Sequence, residues 1–219
     1  MIKRIIILGV GGNCIDILDS MLDINDAQGK QIYDCIGFLD DDQKKWNQTY
    51  YGVKVLGPLS SAQEYGDCFF VFGIGSVSNF WRRQEILLNT GIPFEQFETI
   101  IHPTASVSRT AKIGRGSVVL QHVTIATSAA IGKHVYVLPN SVISHDDMIG
   151  DFTTIAGGVC ISGNVHIGFS CYIGTNAAIR DGVTIGDTSL VGMSSVVLKD
   201  VSENTVVTGN PAKLFRKVR

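Results

Sequence analysis

The sequence predicts a chain of two unlike parts, a small α/β domain over residues 1–98 and an all-β column of short parallel strands over residues 99–219. Three observations predict it. From Ile101 to Val197 every sixth residue is Ile or Val, seventeen times in succession. Ahead of that run, apolar strand-like stretches alternate with helical patterns. Glycine, at 24 of 219 residues, is well above its usual share of roughly 7%.

The amino-terminal elements follow in order. Lys3 to Leu8 reads as a buried strand and runs into Gly9-Val10-Gly11-Gly12-Asn13. A helical pattern from Cys14 to about Leu22 puts Ile15, Leu18 and Leu22 on one face. A second strand, Asp34 to Leu39, ends in Asp40-Asp41-Asp42. A short strand over Val53–Leu56 and a helix near Leu59–Tyr65 come next. A strand from Cys68 to Phe72 then ends in Gly73-Ile74-Gly75, and an amphipathic helix spans about Phe80–Thr90, with Trp81, Ile86 and Leu87 as core candidates. Such alternation suggests a small parallel sheet with its loops gathered at the carboxyl ends of the strands.

Counted from Gly9 and Gly11, the third glycine of the dinucleotide fingerprint falls on Cys14, so that motif is incomplete. Two readings stay open on these residues. One is a tight turn that packs helix on strand. The other is a nucleotide site, for which three loops converge with Gly11, Gly12, Asn13, Asp40, Asp41 and Gly75 as contacts. Backbone N–H groups at a helix start suit an anion, and a carboxylate suits ribose or base donors.

The second half is built on six. The residue two before each Ile/Val is nearly always small or Val, and the residue after it is often glycine, as at Gly114, Gly132, Gly150, Gly168, Gly174, Gly186 and Gly192. A helix would scatter a period of six around its circumference. Short strands joined at equal corners close as a prism instead, three faces and 18 residues to a coil. Seventeen hexads make almost six coils, roughly 27 Å tall at the usual strand spacing, with each Ile/Val stacked on the one 18 residues away.

Composition narrows the function classes. Eighteen basic against 20 acidic residues give a net charge of −2, with no Lys/Arg run to follow a phosphate backbone, so no nucleic-acid partner is expected. Five cysteines, an odd number without a C-x-x-C pair, argue against a disulfide scaffold and for a reducing compartment. The apolar run Ile5–Leu8 stops at Gly9, too short for a signal sequence or a membrane span. A cytoplasmic protein with no membrane insertion is expected.

The pattern [Ile/Val]-Gly-x-x-[small]-x, as in Ile113-Gly-Arg-Gly-Ser-Val and Ile173-Gly-Thr-Asn-Ala-Ala, resembles the hexapeptide-repeat transferases. That resemblance implies a left-handed parallel β-helix and a homotrimer with active sites between neighbouring prisms. The whole chain resembles one subfamily, the N-acetyltransferases that modify an amino group on a nucleotide-linked sugar, of the bacillosamine and perosamine type and akin to sialic acid O-acetyltransferases. Gly9-Val-Gly-Gly-Asn, Gly37-Phe-Leu-Asp-Asp, Ile101-His-Pro-Thr-Ala, Asn140-Ser-Val-Ile-Ser-His-Asp, Gly163-Asn-Val-His-Ile-Gly and Gly209-Asn-Pro-Ala-Lys carry it. It implies a Rossmann-like nucleotide-sugar domain followed by the helix, with acetyl-CoA as co-substrate. It also implies a UDP-linked 4-amino-deoxy sugar as acceptor, in bacterial surface glycan synthesis. An O-acetyltransferase using the same base is the alternative. A binding scaffold and a zinc enzyme with three histidine ligands are further ones. No two histidines are 17 to 19 apart, so none stack on adjacent coils, and no metal is expected.

Five histidines compete for the role of base. His102 precedes Pro103 where the prism begins and reads as a domain-joint residue. His122, His134 and His166 read as solvated surface histidines, with His122→Ala and His134→Ala expected to be close to neutral. His145 stands beside Asp146 and Asp147, and imidazole is the side chain whose unperturbed pKa suits a base near neutral pH. The resemblance implies His145 as catalytic base with Asp146 as its partner, and Thr154, Gly163, Thr175, Gly192 and Met193 along the coenzyme channel. Thr154 and Asn13 stand where those enzymes carry histidines. Asp147 occupies a hexad position that is small or Val in every other repeat, so either the coil bulges there or its carboxylate is hydrogen-bonded.

Overall fold

The computed structural model describes residues 2–219. In the first part, β1 (Lys3–Leu8), β2 (Tyr33–Leu39), β4 (Val53–Gly57) and β5 (Phe69–Phe72) form a parallel sheet. β3 (Thr49–Tyr50) is added antiparallel at its edge, for the order β3-β4-β2-β1-β5. Helix α1 runs Gly12–Gln28, six residues beyond the expected end, and stops at Gly29 in the left-handed conformation (φ 62). Its buried face is Cys14, Ile17, Leu18 and Met21, a clean i, i+3, i+4, i+7 stripe. Leu22, expected in the core, lies one helical step off that stripe and is exposed. Phe80–Arg82 is a 3₁₀ turn leading into α2 (Arg83–Leu88). Of its expected core residues only Leu87 is buried, while Trp81 and Ile86 are half-buried.

The prism is built as the period requires. Seventeen two-residue strands, Ile100–Ile101 through Val196–Val197, each end on the repeating Ile or Val. Each pairs in parallel with the strand 18 residues away, as in Thr124↔Val142 and Met148↔His166. Three sheets result, here called the docking face (from Ile100–Ile101), the second face (from Ser106–Val107) and the third face (from Lys112–Ile113). The interior column from Val119 to Val197 is buried. Ile101, at the open first coil, is exposed because no coil covers it.

Corners are turned by a left-handed residue at the fourth hexad position, for example Ser128, Asn140 and Asn164 at φ near 60°. Asn and short polar residues tolerate this conformation best. After the seventeen short strands comes a hairpin, β23 (Thr205–Thr208) antiparallel to β24 (Lys213–Lys217), which extends the docking face.

The α/β domain sits on the docking face. Ile100, Val118, Leu120 and Tyr136 share a core with Ile5, Ile7 and Leu18, and Phe152 joins Phe70, Phe72 and Phe97. His102 is buried between Thr104 and the Asp23 carboxylate of α1, at 2.9 and 2.8 Å, which makes it the joint residue expected. Among the described residues no helix is long and apolar enough to cross a membrane.

Candidate active site

The three glycine- and aspartate-bearing loops do converge. Gly9–Asn13, Asp40, Lys45 and Gly73–Ser76 line a crevice of about 470 Å³ at the carboxyl end of the sheet. The Asp40 carboxylate organises it, accepting from Val10 N (2.8 Å), Asp42 N (2.9 Å) and Lys45 Nζ (3.0 Å). Lys45 also donates to the Val10 carbonyl. Asp41 was expected in the same crevice and is not there. Its carboxylate caps Leu59 N at 2.9 Å and lines a separate pocket with Arg82 and Asn89. Consecutive side chains leaving a strand end point apart, so only one of the pair faces the loops. Cys14 takes no part as a thiolate, since burial pushes it up to about 12.

This crevice opens into a second cleft of about 680 Å³ where the domain meets the prism. Asn13, Gly75 and Ser76 belong to both, and Val77, Ser78, Trp81, Leu138, Thr154, Tyr172 and Arg216 complete it. Asn13 ties the two parts, donating to the Gly75 carbonyl (3.4 Å) while its own carbonyl accepts from the Tyr136 hydroxyl (2.8 Å). Beneath Gly75 lies Arg83, buried and without a carboxylate partner. It donates to the carbonyls of Ile74 and Phe152 and to Thr154 Oγ1. Burial lowers its pKa to about 10, so it stays charged at neutral pH. The sequence offered no sign of this arginine, which reads as one polar residue in an amphipathic helix. Trp81, Tyr172 and Arg216 were missed as well, because only the packing of the domain on the prism makes a cleft of them.

His145 and Asp146 stand at the corner between the second and third faces, where Nδ1 and Oδ2 are 2.9 Å apart and both side chains are exposed. One coil on, Gly163 lies directly against the ring, and a Cβ there would come within 2.5 Å of it. Glycine leaves the imidazole room to lie along the prism. Thr175, Gly192 and Met193 fall at a different corner, between the docking and second faces, with Met193 71% exposed. Thr154 is buried under Arg83 in the cleft. Within one chain, then, the candidate base and the clefts lie on opposite sides of the prism.

The other histidines separate by environment. His122 is exposed, and His166 lies on the third face with Nε2 3.1 Å from Met148 Sδ. His134, expected to be solvated, is buried among Phe72, Phe94, Phe97 and Phe152, with Phe152 stacked on it at 5.0 Å. Neither ring nitrogen has a hydrogen-bond partner, and burial followed by the Arg83 charge lowers its pKa to about 3. The docked α/β domain, which the hexad pattern does not register, is what covers it. Among the described residues no group of three or more His, Cys, Asp or Glu side chains is placed to hold a metal ion.

Residues 4–87 match the PglD N-terminal domain family. A GDP-perosamine N-acetyltransferase of Escherichia coli O157:H7 is 38% identical over 60 residues, 27% of either chain, so the match spans about a quarter of that relative's length. The acetyltransferase domain of PglB from Neisseria gonorrhoeae FA1090 superposes with a TM-score of 0.85 at 26% identity, over 97% of this chain and 100% of that one. A second structure of it is a complex with acetyl coenzyme A. PerB from Caulobacter crescentus, in complex with CoA and GDP-perosamine, superposes with a TM-score of 0.81 at 25% identity over 99% of each chain.

Fold and clefts define the class: a left-handed β-helix protein carrying an amino-terminal domain of the PglD type. Within that class the chain is similar over nearly its whole length to the acetyltransferase domain of PglB and to PerB, and over 60 residues to a GDP-perosamine N-acetyltransferase.

Proposed function

We propose that this protein transfers the acetyl group of acetyl-CoA to the amine of a nucleotide-linked amino sugar. Residues 1–98 hold the nucleotide sugar and residues 99–219 hold acetyl-CoA and carry out the transfer. The observation that carries the reading is the exposed His145–Asp146 pair, set against Gly163 at a prism corner. When Nδ1 carries the proton donated to Asp146, Nε2 is left as the acceptor. It takes the N–H proton that the neutral amine sheds as it attacks. The amine nitrogen bonds to the thioester carbonyl carbon, the C–S bond breaks, and CoA leaves as thiolate and takes up the proton. No covalent intermediate on the protein is needed.

The site requires a second copy. His145, Asp146 and Gly163 at one corner and Thr175, Gly192 and Met193 at another are brought together when neighbouring prisms pack corner to corner, and three-fold closure satisfies every copy. Supporting this, the outward residues of the second face (Ser106, Thr124, Val142, Cys160, Ala178, Val196) carry no charge. Gly11, Gly12, Asn13, Asp40 and Gly75 then receive the nucleotide, and the cleft beside Thr154 receives the sugar. All five cysteines are unpaired, as in a reducing cytoplasm.

The test is release of free thiol from acetyl-CoA in the presence of UDP- and GDP-linked 4-amino sugars. The resemblance points to the uridine series for a bacterial surface glycan, and the PerB complex holds a guanosine sugar. Acetylation in one arm assigns the base. Turnover with neither, by a protein that binds acetyl-CoA, defeats the reading.

A further inference from the structure

The coil that carries His145 has the one charged residue found at its hexad position, Asp147. Where that position carries a hydroxyl instead, as at Ser117 and Thr153, the hydroxyl bridges two coils. Ser117 accepts from Val135 N (3.0 Å) and donates to the Gly132 carbonyl (2.8 Å). Thr153 does likewise with Cys171 N and the Gly168 carbonyl, both at 2.9 Å. Asp147, fully buried, keeps the first half of this arrangement by accepting from Val165 N at 2.9 Å through Oδ1. An ionised carboxylate has no proton to donate, so the second half is replaced. Oδ2 accepts from Ser144 N at 2.8 Å. In the equivalent place on other coils, Ala126, Leu138 and Ser162 donate their N–H to the carbonyls of Ile143, Ile155 and Ile179. The Ser144 N–H is therefore diverted from the ladder at the corner that displays His145 and Asp146.

We propose that Asp147 is the positioning residue of the transfer site: by tying Ser144 N and Val165 N together, its carboxylate closes the turn whose two central residues are His145 and Asp146 and sets the angle at which the imidazole is presented. This rests on the reading of His145 as the base. Asp147 is too deep to meet substrate and acts only through the turn. The cost of holding it there is visible: burial raises its pKa to about 6 against the pull of the Val165 and Ser144 N–H groups. A carboxyl whose folded value is raised gives its stability below the unfolded value and loses it as pH rises through about 6. Near neutral pH the ionised carboxylate is thus held in the coil at a cost relative to its protonated form, and a costly group retained at a site points to use there.

Asp147→Ser tests this by restoring the arrangement of Ser117 and Thr153. Its melting temperature at pH 7.5 should equal or exceed that of the unmodified protein, and KM for both substrates should stay within about twofold. kcat per folded site should fall about tenfold or more, since displacements of about 1 Å at a reacting group cost up to about 10²-fold. Asp147→Asn keeps the shape and one acceptor and should fall between. A ¹⁵N spectrum of the His145 imidazole should show the tautomer balance altered in Asp147→Ser. Unchanged kcat per folded site in Asp147→Ser overturns the proposal, and Asp147→Asn decides by the same ratio should the serine variant not fold. His145→Ala in the same assay separates the two readings. If it is inactive while Asp147→Ser is normal, only the positioning role fails. If it turns over normally, the base itself is misassigned.

Discussion

His145 Nδ1 and Asp146 Oδ2 lie 2.9 Å apart although the two residues are consecutive. Neighbouring side chains on an extended strand point to opposite sides. They meet here because Asp146 occupies the left-handed corner of its hexad, φ 62. A corner of the prism thereby does for an acid–base pair what long-range packing does in other folds. His145→Ala should lower kcat by about 10²–10⁴, the usual worth of a general base, with KM little changed. Asp146→Asn should cost less, because the ring keeps a hydrogen-bond partner. Steady-state kinetics on both variants checks the order. His122→Ala, at an exposed corner, is the control.

His134 will not serve as a second control. Truncating a ring buried among four phenylalanines leaves a cavity, and His134→Ala should destabilise by about 2–4 kcal/mol. Its titration has a definite sign. Folded His134 protonates only near pH 3, while the unfolded residue does so near 6.5. Between these values the unfolded chain binds the extra proton, so stability is full above about 6.5 and falls as pH drops toward 3, at up to about 1.4 kcal/mol per pH unit.

Phe152 already occupies the equivalent corner one coil on, at φ 60, so the backbone accepts phenylalanine there. His134→Phe should therefore melt higher than the parent at pH 5 and show a flatter pH dependence. Thermal melts from pH 4.5 to 8 measure this.

Asp40 holds Val10 N and Lys45 together at the mouth of the crevice. Asp40→Ala releases both. Nucleotide-sugar affinity should fall by about ten- to a hundredfold, the scale of one lost charged hydrogen bond, with acetyl-CoA affinity unchanged. Calorimetric titration with each ligand separately is the measurement, and equal losses for both would point to unfolding of the domain.

A site shared between copies predicts complementation. Sedimentation equilibrium should give about three times the 23.6 kDa chain mass. Mixed assemblies of His145→Ala and Asp40→Ala chains, assayed at a nucleotide-sugar concentration low enough that each variant alone is slow, should recover part of the turnover, because some interfaces then carry both intact halves. Full inactivity of a verified mixed assembly would place the base and the crevice of one chain in the same site.

The prism was legible residue by residue, since a strict period leaves no freedom: all seventeen predicted Ile/Val positions end a strand, and strands pair 18 apart. The converging loops of the first domain were legible for a similar reason, because a parallel sheet gathers the carboxyl ends of its strands. Sequence by itself therefore determined the two architectures, the order in which they come, and the one histidine flanked by carboxylates. Tertiary structure decided what depends on the two architectures meeting. It buried His134 and Arg83 at the seam, turned Asp41 away from Asp40, and made a cleft of Trp81, Tyr172 and Arg216. It also showed where the Asp147 carboxylate goes. Periodicity reports which way a side chain faces within its own element. Whether that face meets water, another domain or a diverted N–H is set by which residues the fold brings against it, from the same turn to the other domain.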